Sequence, residues 1–270
     1  MSPDLHPGTA VVTGASSGIG RIYAEKLAQR GYDVLLVARD RSRLDELAAS
    51  LASATGRKTE VLVADLGQAA DVERLTARIA ADPSITLLVN NAGMGTEGAV
   101  VGVDAGKVDA MVQLNVAALT RLSIAAVNAF SARGKGTLVN IASVVALVPE
   151  NFLGAYAGTK AYVLAFTQSL QSELKGGPIR VQAVLPGLTA TEFFDRAGLD
   201  AGSLPAEMVM SAPDLVEAAL RGLEAGEAIT IPSLPEMAAW QTLVDDRVRM
   251  APGLSLRQPA ARYGMGATAG

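Results

Sequence analysis

The sequence predicts an α/β fold, a single domain on a doubly wound parallel sheet of about seven strands with helices on both faces. Three observations predict it. Short apolar runs alternate with longer segments of helical periodicity. The runs are continuously apolar, as strands covered on both faces require. The first run is followed at once by a glycine-rich turn that opens a helix, the entry to a right-handed crossover.

Taken in order, the strands are expected at Ala10–Thr13, Val34–Ala38, Val61–Ala64, Leu87–Asn90, Leu138–Ile141 and Val181–Val184. Helical segments fall between them, near 18–30, 41–55, 69–82, 104–132 and 153–175. The texture changes after Pro186-Gly187, where residues 188–210 mix Phe193, Phe194, Leu199 and Met208 with glycine and proline in an irregular substrate-loop region. A helix near 212–225 and a last short strand at Ala228–Ile231 follow. Met237, Trp240, Val244 and Val248 recur at helical spacing, so 235–249 is expected as an amphipathic C-terminal helix. The core is expected over about 8–250, and the tail 257–270 is expected to be disordered.

Composition removes several chemistries. Half of the 270 residues are apolar, 19% are charged and the net charge is −4. Without a basic run, phosphate neutralisation on nucleic acid is not expected. There is no cysteine, and the single histidine is His6, next to the terminus. Thiol nucleophiles, thiolate or imidazole metal sites and a histidine base are therefore set aside, and no metal is expected. Acid/base work falls to a tuned Tyr, Lys, Asp or Glu. The N-terminus lacks a signal-peptide profile, and the longest membrane-like stretch, about Thr137–Pro149, is too short to span. A soluble cytoplasmic protein without membrane or nucleic-acid partners is expected.

The turn Thr13-Gly14-Ala-Ser16-Ser17-Gly18-Ile19-Gly20 leads into a helix carrying Ile22, Ala24 and Leu27. A turn without Cβ atoms lets the backbone approach a pyrophosphate, and the helix N-terminus favours its charge. The second strand ends Val37-Ala38-Arg39-Asp40. At that position a carboxylate suits a ribose 2′-hydroxyl, whereas an arginine fork suits a 2′-phosphate. Arg39 therefore points to NADP(H) over NAD(H), with Ser16, Ser17 and Arg43 as helpers. Asp40, if it faced the pocket, would repel that phosphate, and an Arg39–Asp40 surface pair is the competing explanation.

Of five tyrosines only Tyr156 has a lysine four residues on, Lys160, which puts both side chains on one helix face. Ser143 lies at a strand end thirteen residues earlier. An adjacent ammonium favours phenolate, so Tyr156 is expected to have a lowered pKa and to act as general acid/base. Ser143 either hydrogen-bonds the substrate oxygen or merely caps a turn.

These motifs, in this order from about Thr9 to Thr191, resemble the short-chain dehydrogenase/reductase family of the classical type. The resemblance implies a Rossmann-like oxidoreductase that transfers a hydride between a nicotinamide cofactor and a carbonyl or secondary alcohol. It implies catalytic roles for Asn115, Ser143, Tyr156 and Lys160, with Asn115 holding a water in a proton relay through the lysine and Lys160 also binding the nicotinamide ribose. The competing explanation of Asn115 is a polar kink in a long helix. Asp65-Leu66 is similar to the family's adenine contact, Asn90-Asn91-Ala92-Gly93 to its sheet-stabilising motif near the nicotinamide ribose, and Pro186-Gly187-x-Thr189 to its nicotinamide-amide segment. One departure is the end, where Ala228-Ile-Thr-Ile-Pro-Ser-Leu-Pro leads to the Trp240 helix instead of an aspartate–glycine-rich interface segment. A homodimer through the helix bearing Ala157, Ala161 and Ala165, or a homotetramer, is expected.

Positions expected to face substrate are Met94, Val144, Val145, Phe152, Leu153, Leu188, Phe193 and Phe194, with Glu150 and Asn151 as polar neighbours. Such a lining favours an apolar ketone or aldehyde. Two other readings stay open: an NADP(H)-binding redox sensor without turnover, and an epimerase or dehydratase on a related fold.

Overall fold

A computed structural model describes residues 7–95, 101–151, 154–193 and 205–264. Phe152, Leu153 and Phe194 of the expected substrate lining, and residues 265–270 of the tail, lie outside them.

Seven parallel strands form the main sheet: β1 (Thr9–Thr13), β2 (Asp33–Ala38), β3 (Thr59–Val63), β4 (Ile85–Asn90), β5 (Gly136–Ile141), β6 (Ile179–Val184) and β9 (Ile229–Thr230), in the order β3-β2-β1-β4-β5-β6-β9. A separate two-stranded piece pairs β7 (Thr189–Ala190) with β8 (Met210–Ser211). The helices are α1 (Gly18–Gln29), α2 (Arg41–Thr55), α3 (Ala69–Ala81), α4 (Ala105–Val112), α5 (Leu119–Arg133), α6 (Ala155–Glu173), α7 (Ala212–Glu224) and α8 (Ala238–Met250).

Alternate strand residues feed two cores. Ala10, Val12, Leu36, Val89 and Val139 pack with Leu27 of α1, Leu44 and Leu47 of α2, and Leu215 and Val216 of α7. Val11, Leu35, Val37, Leu88 and Leu138 pack on the other face with Leu75 and Ile79 of α3, Leu122 and Phe130 of α5, and Leu170 of α6. Burying both faces is what made the strands read as unbroken apolar runs.

The helix expected over 104–132 is interrupted. Between α4 and α5 the segment Gln113–Ala118 is π-helical. The whole stretch Ala105–Arg133 is long and apolar enough to cross a membrane by length and composition, a longer candidate than 137–149. Its Leu122, Ala126 and Phe130 instead lie in the core under the sheet. On α6, Ala157 is buried, Ala161 half-buried and Ala165 exposed.

The chain divides into two compact units, up to Ser233 and from Leu234 onward. The second holds α8 and two short 3-10 turns, and none of its described residues is buried.

Candidate active site

The candidate site is built at the carboxyl ends of the strands. Strand order reverses between β1 and β4, the crevice where open α/β sheets take their ligands. β1 ends in Thr13, whose hydroxyl accepts from the backbone N–H groups of Asn91 and Ala92 at 3.0 Å each. Asn91 returns its side-chain amide to the carbonyl of Thr13 at 2.9 Å, tying the two loops together.

The glycine turn lies against this joint. Gly14 has φ 68°, and a Cβ there would lie 2.8 Å from the Asn91 amide nitrogen. At Gly20 a Cβ would lie 2.2 Å from the Gly14 carbonyl oxygen, so no side chain fits. Ser16, Ser17, Gly18 and Ile19 are half-buried along the turn. Ser17 is the N-cap of α1, yet its side chain makes no capping bond. A turn without side-chain bulk at the start of a helix fits a pyrophosphate.

At the end of β2, Arg39 is exposed and forms no ion pair among the described residues. Asp40 is the N-cap of α2 and accepts from the Arg43 backbone N–H at 3.1 Å. The Arg39–Asp40 surface pair is therefore not formed, and capping accounts for the carboxylate. The Arg43 guanidinium binds both carboxylate oxygens of Glu192, at 3.0 and 2.9 Å. After β3, Asp65 is half-buried and its carboxylate accepts from the Gly67 N–H at 3.0 Å, while Leu66 is buried.

The reacting centre comes from β5 and α6. Of the two roles expected of Ser143, the structure shows the turn cap. It accepts from the Val145 N–H at 3.4 Å in the 3-10 turn Val144–Ala146, and its hydroxyl lies beside the Tyr156 phenol. The same hydroxyl lies 3.3 Å from the Pro186 carbonyl oxygen, which joins β5 to the segment Pro186, Gly187, Leu188 and Thr189. Tyr156 packs its ring on Phe193, with centroids 5.6 Å apart.

Lys160 is 6% exposed and donates to the Ile141 carbonyl at 2.9 Å, with its nitrogen 5.8 Å from the Tyr156 ring centroid. Tyr156 and Lys160 thus share a helix face, but the expected lowering of the phenol pKa is not what the protein alone produces. Burial raises the Tyr156 pKa, and the neighbouring Ser143 hydroxyl only partly opposes this. Burial also pulls Lys160 down to about 8. Taking either charged form out of water outweighs the attraction that spacing alone suggested.

Asn115 lies in the π-helical segment and is 2% exposed. Its carbonyl oxygen accepts from the Met94 N–H at 2.9 Å. Its amide donates to the Met94 carbonyl at 2.8 Å and to the Thr159 hydroxyl at 3.1 Å. It meets α6 through Thr159 and not through Lys160, although a Cβ at Gly93 would lie between them, 3.2 Å from the Asn115 oxygen and 3.7 Å from the Lys160 nitrogen. Neither Thr159 nor the Arg43–Glu192 pair was singled out from sequence. Thr159 sits inside the Tyr156–Lys160 interval, which was its only signal.

Of the expected substrate lining, Phe193 meets Tyr156 and Met94 is held by Asn115. Leu188 is half-buried, and Val145 is 3% exposed. Among the described residues no cluster of His, Asp or Glu could hold a metal ion.

Comparison with known proteins agrees with this geometry. Residues 8–201 match the short chain dehydrogenase family model. The very-long-chain 3-oxoacyl-CoA reductase of Anas platyrhynchos is 34% identical over 188 residues, 68% of this chain and 60% of that protein. The chain thus matches about three-fifths of the length of such curated relatives. A short-chain dehydrogenase from Sphingobium yanoikuyae, solved with NADPH, is 44% identical with a TM-score of 0.91, covering 95% of this chain and all of that one. A bulky-bulky ketone specific alcohol dehydrogenase from Comamonas testosteroni is 42% identical with a TM-score of 0.87, covering 95% and 98%. With a family match over most of the chain and the motif residues gathered at one crevice, the protein belongs to the short-chain dehydrogenase family of oxidoreductases.

Proposed function

We propose that the protein reduces apolar ketones or aldehydes with NADP(H), using Tyr156 as the proton donor. The observation that carries the reading is that Ser143, Tyr156 and Lys160 come together at the carboxyl end of β5, with the Lys160 nitrogen 5.8 Å from the Tyr156 ring centroid, in the same crevice as a glycine turn too tight for any side chain. When bound, the dinucleotide would supply the hydride at its nicotinamide ring.

Gly14, Gly18 and Gly20 with the α1 N-terminus hold the pyrophosphate, Asp65 and Leu66 the adenine side, and Arg39 the 2′-phosphate. Asn91, Ala92, Gly93, Pro186, Gly187 and Thr189 border the nicotinamide end. The Arg39 guanidinium, without an ion pair among the described residues, and the NADPH found in the Sphingobium yanoikuyae relative support the phosphate-bearing cofactor.

Ser143 donates to the substrate oxygen as negative charge gathers there. Tyr156 then gives that oxygen its proton. A phenol whose pKa burial has raised is a proton holder at neutral pH, which suits reduction better than alcohol oxidation. Lys160 keeps a positive charge beside the phenol and stabilises the phenolate left behind. Asn115 fixes the Met94 backbone and thereby one wall of the site. Met94, Leu188 and Phe193 form an apolar lining, consistent with the bulky ketones named for the Comamonas testosteroni relative.

Cofactor oxidation followed with NADPH and NADH against a panel of apolar carbonyls tests the reading. Turnover with NADPH, and a kcat about 10²–10⁴-fold lower in Tyr156→Phe, is expected. A Tyr156→Phe enzyme of undiminished rate would remove the phenol from the mechanism. Tighter binding of NADH than of NADPH would overturn the cofactor assignment.

A further inference from the structure

Three consecutive residues after β7 touch three different parts of the site. Thr191 packs on the glycine turn, where a Cβ added to Gly18 would lie 3.2 Å from its methyl group. Glu192 takes the Arg43 guanidinium at 2.9 and 3.0 Å. Phe193 rests on Tyr156. The middle contact joins the substrate-side loop to the first turn of α2, across 149 positions of sequence.

Arg43 stands four residues beyond Arg39, in the turn capped by Asp40, at the strand end where a 2′-phosphate is read. Its Nε also lies 3.6 Å from Asp40. Arg43 is thus already committed to carboxylates.

We propose that Glu192 is a cofactor-specificity residue, competing with the 2′-phosphate of the dinucleotide for Arg43 and so limiting the advantage of NADP(H) over NAD(H). The inference rests on the assignment of NADP(H) above. Its sign does not depend on how the phosphate is accommodated. If Arg43 turns to the phosphate, the ion pair with Glu192 is lost. If Arg43 bridges both anions, Glu192 stays as a negative charge beside the phosphate. Either way the cost falls only on a ligand carrying the phosphate. The pair is nearly half exposed, so the effect is modest.

Adenosine 2′,5′-bisphosphate and adenosine 5′-monophosphate isolate that phosphate and need no turnover. Their Kd values would be measured by calorimetry on the wild type, Glu192→Gln, Arg43→Gln and the double variant. Glu192→Gln is expected to bind the bisphosphate about three- to fivefold more tightly and the monophosphate unchanged. The gain should vanish once Arg43 is replaced. Equal effects on both nucleotides, no effect on either, or a gain that survives Arg43→Gln would overturn the proposal. Glu192→Ala provides a second variant under the same expectations. A wild type that fails to discriminate between the nucleotides would count against the NADP(H) assignment. Discrimination that then emerges in Glu192→Gln would still uphold the role of Glu192.

Discussion

Lys160 spends its hydrogen-bonding on the Ile141 carbonyl, and its ammonium is almost entirely out of water. Its pKa of about 8, against an ordinary 10.5, means that the folded protein binds this proton less tightly than the unfolded chain does. Between those two values the unfolded state holds more protons, so the contribution of Lys160 to stability rises with pH through that window. Below about pH 8 the burial penalty is present in full. Lys160→Met is therefore expected to gain stability relative to the wild type at neutral pH, with the difference shrinking as pH approaches 10.5. Thermal melts of both proteins at several pH values, without cofactor, measure it. A difference that stays constant with pH would mean the lysine is not held at a depressed pKa. The pairing of Tyr156 with Lys160 was legible from spacing because a helix turn fixes which side chains share a face. The direction of the Tyr156 shift was not, since desolvation depends on what the rest of the chain packs around the ring. Glu192 was equally hidden, because no local pattern relates it to Arg43.

At the scale of elements, α6 is pinned to the sheet at two levels. Lys160 reaches the end of β5, and one level deeper the Asn140 side-chain amide donates to Thr167 at 3.0 Å. Asn140 in turn accepts from Asn90 of β4 at 3.0 Å, and Asn90 also donates to Ser123 of α5. Asn90, Ser123, Asn140 and Thr167 are all nearly or fully buried. Thr167→Val keeps the shape and strands the Asn140 amide, at a cost of about 1–3 kcal/mol. Urea unfolding measures this loss, and an unchanged stability would mean that the amide finds another partner. Thr167 shares the Lys160 face seven residues on, so the ladder fixes the rotation of the helix that carries the phenol. The motif Asn90-Asn91 was legible as a tie between strands, but its partners on three separate elements were not. Likewise the sequence showed a long apolar helix around Asn115, whereas its π-helical interruption depends on packing that periodicity does not encode.

For the whole molecule, the alternation of strands and helices carried the architecture. Seven apolar runs became seven parallel strands because each needed two helical layers to cover it. The division at Ser233 was less legible, since the spacing of Met237, Trp240 and Val244 reads as an ordinary amphipathic helix. The chain has a single tryptophan, Trp240, which lies in the second unit. Tryptophan fluorescence and far-ultraviolet dichroism are therefore expected to report different denaturant midpoints, the first reading the C-terminal unit and the second the sheet. Coincident transitions would show one cooperative unit.

The place of β1 in the sheet has a consequence for how the protein is made. β1 lies between β2 and β4, and the floor of its glycine turn is closed by Asn91. A chain emerging from the ribosome N-terminus first carries that turn as an unfinished edge until Asn91 has been made. The Asn91 bond becomes possible only after β4 has followed, the Tyr156 phenol arrives later still, and β6 gains its outer neighbour β9 near residue 230. The nucleotide end of the site is thus begun before the reacting end, but α1 is covered only when Leu215 and Val216 of α7 have followed. Both ends of the site are therefore completed together, only when most of the chain has been made.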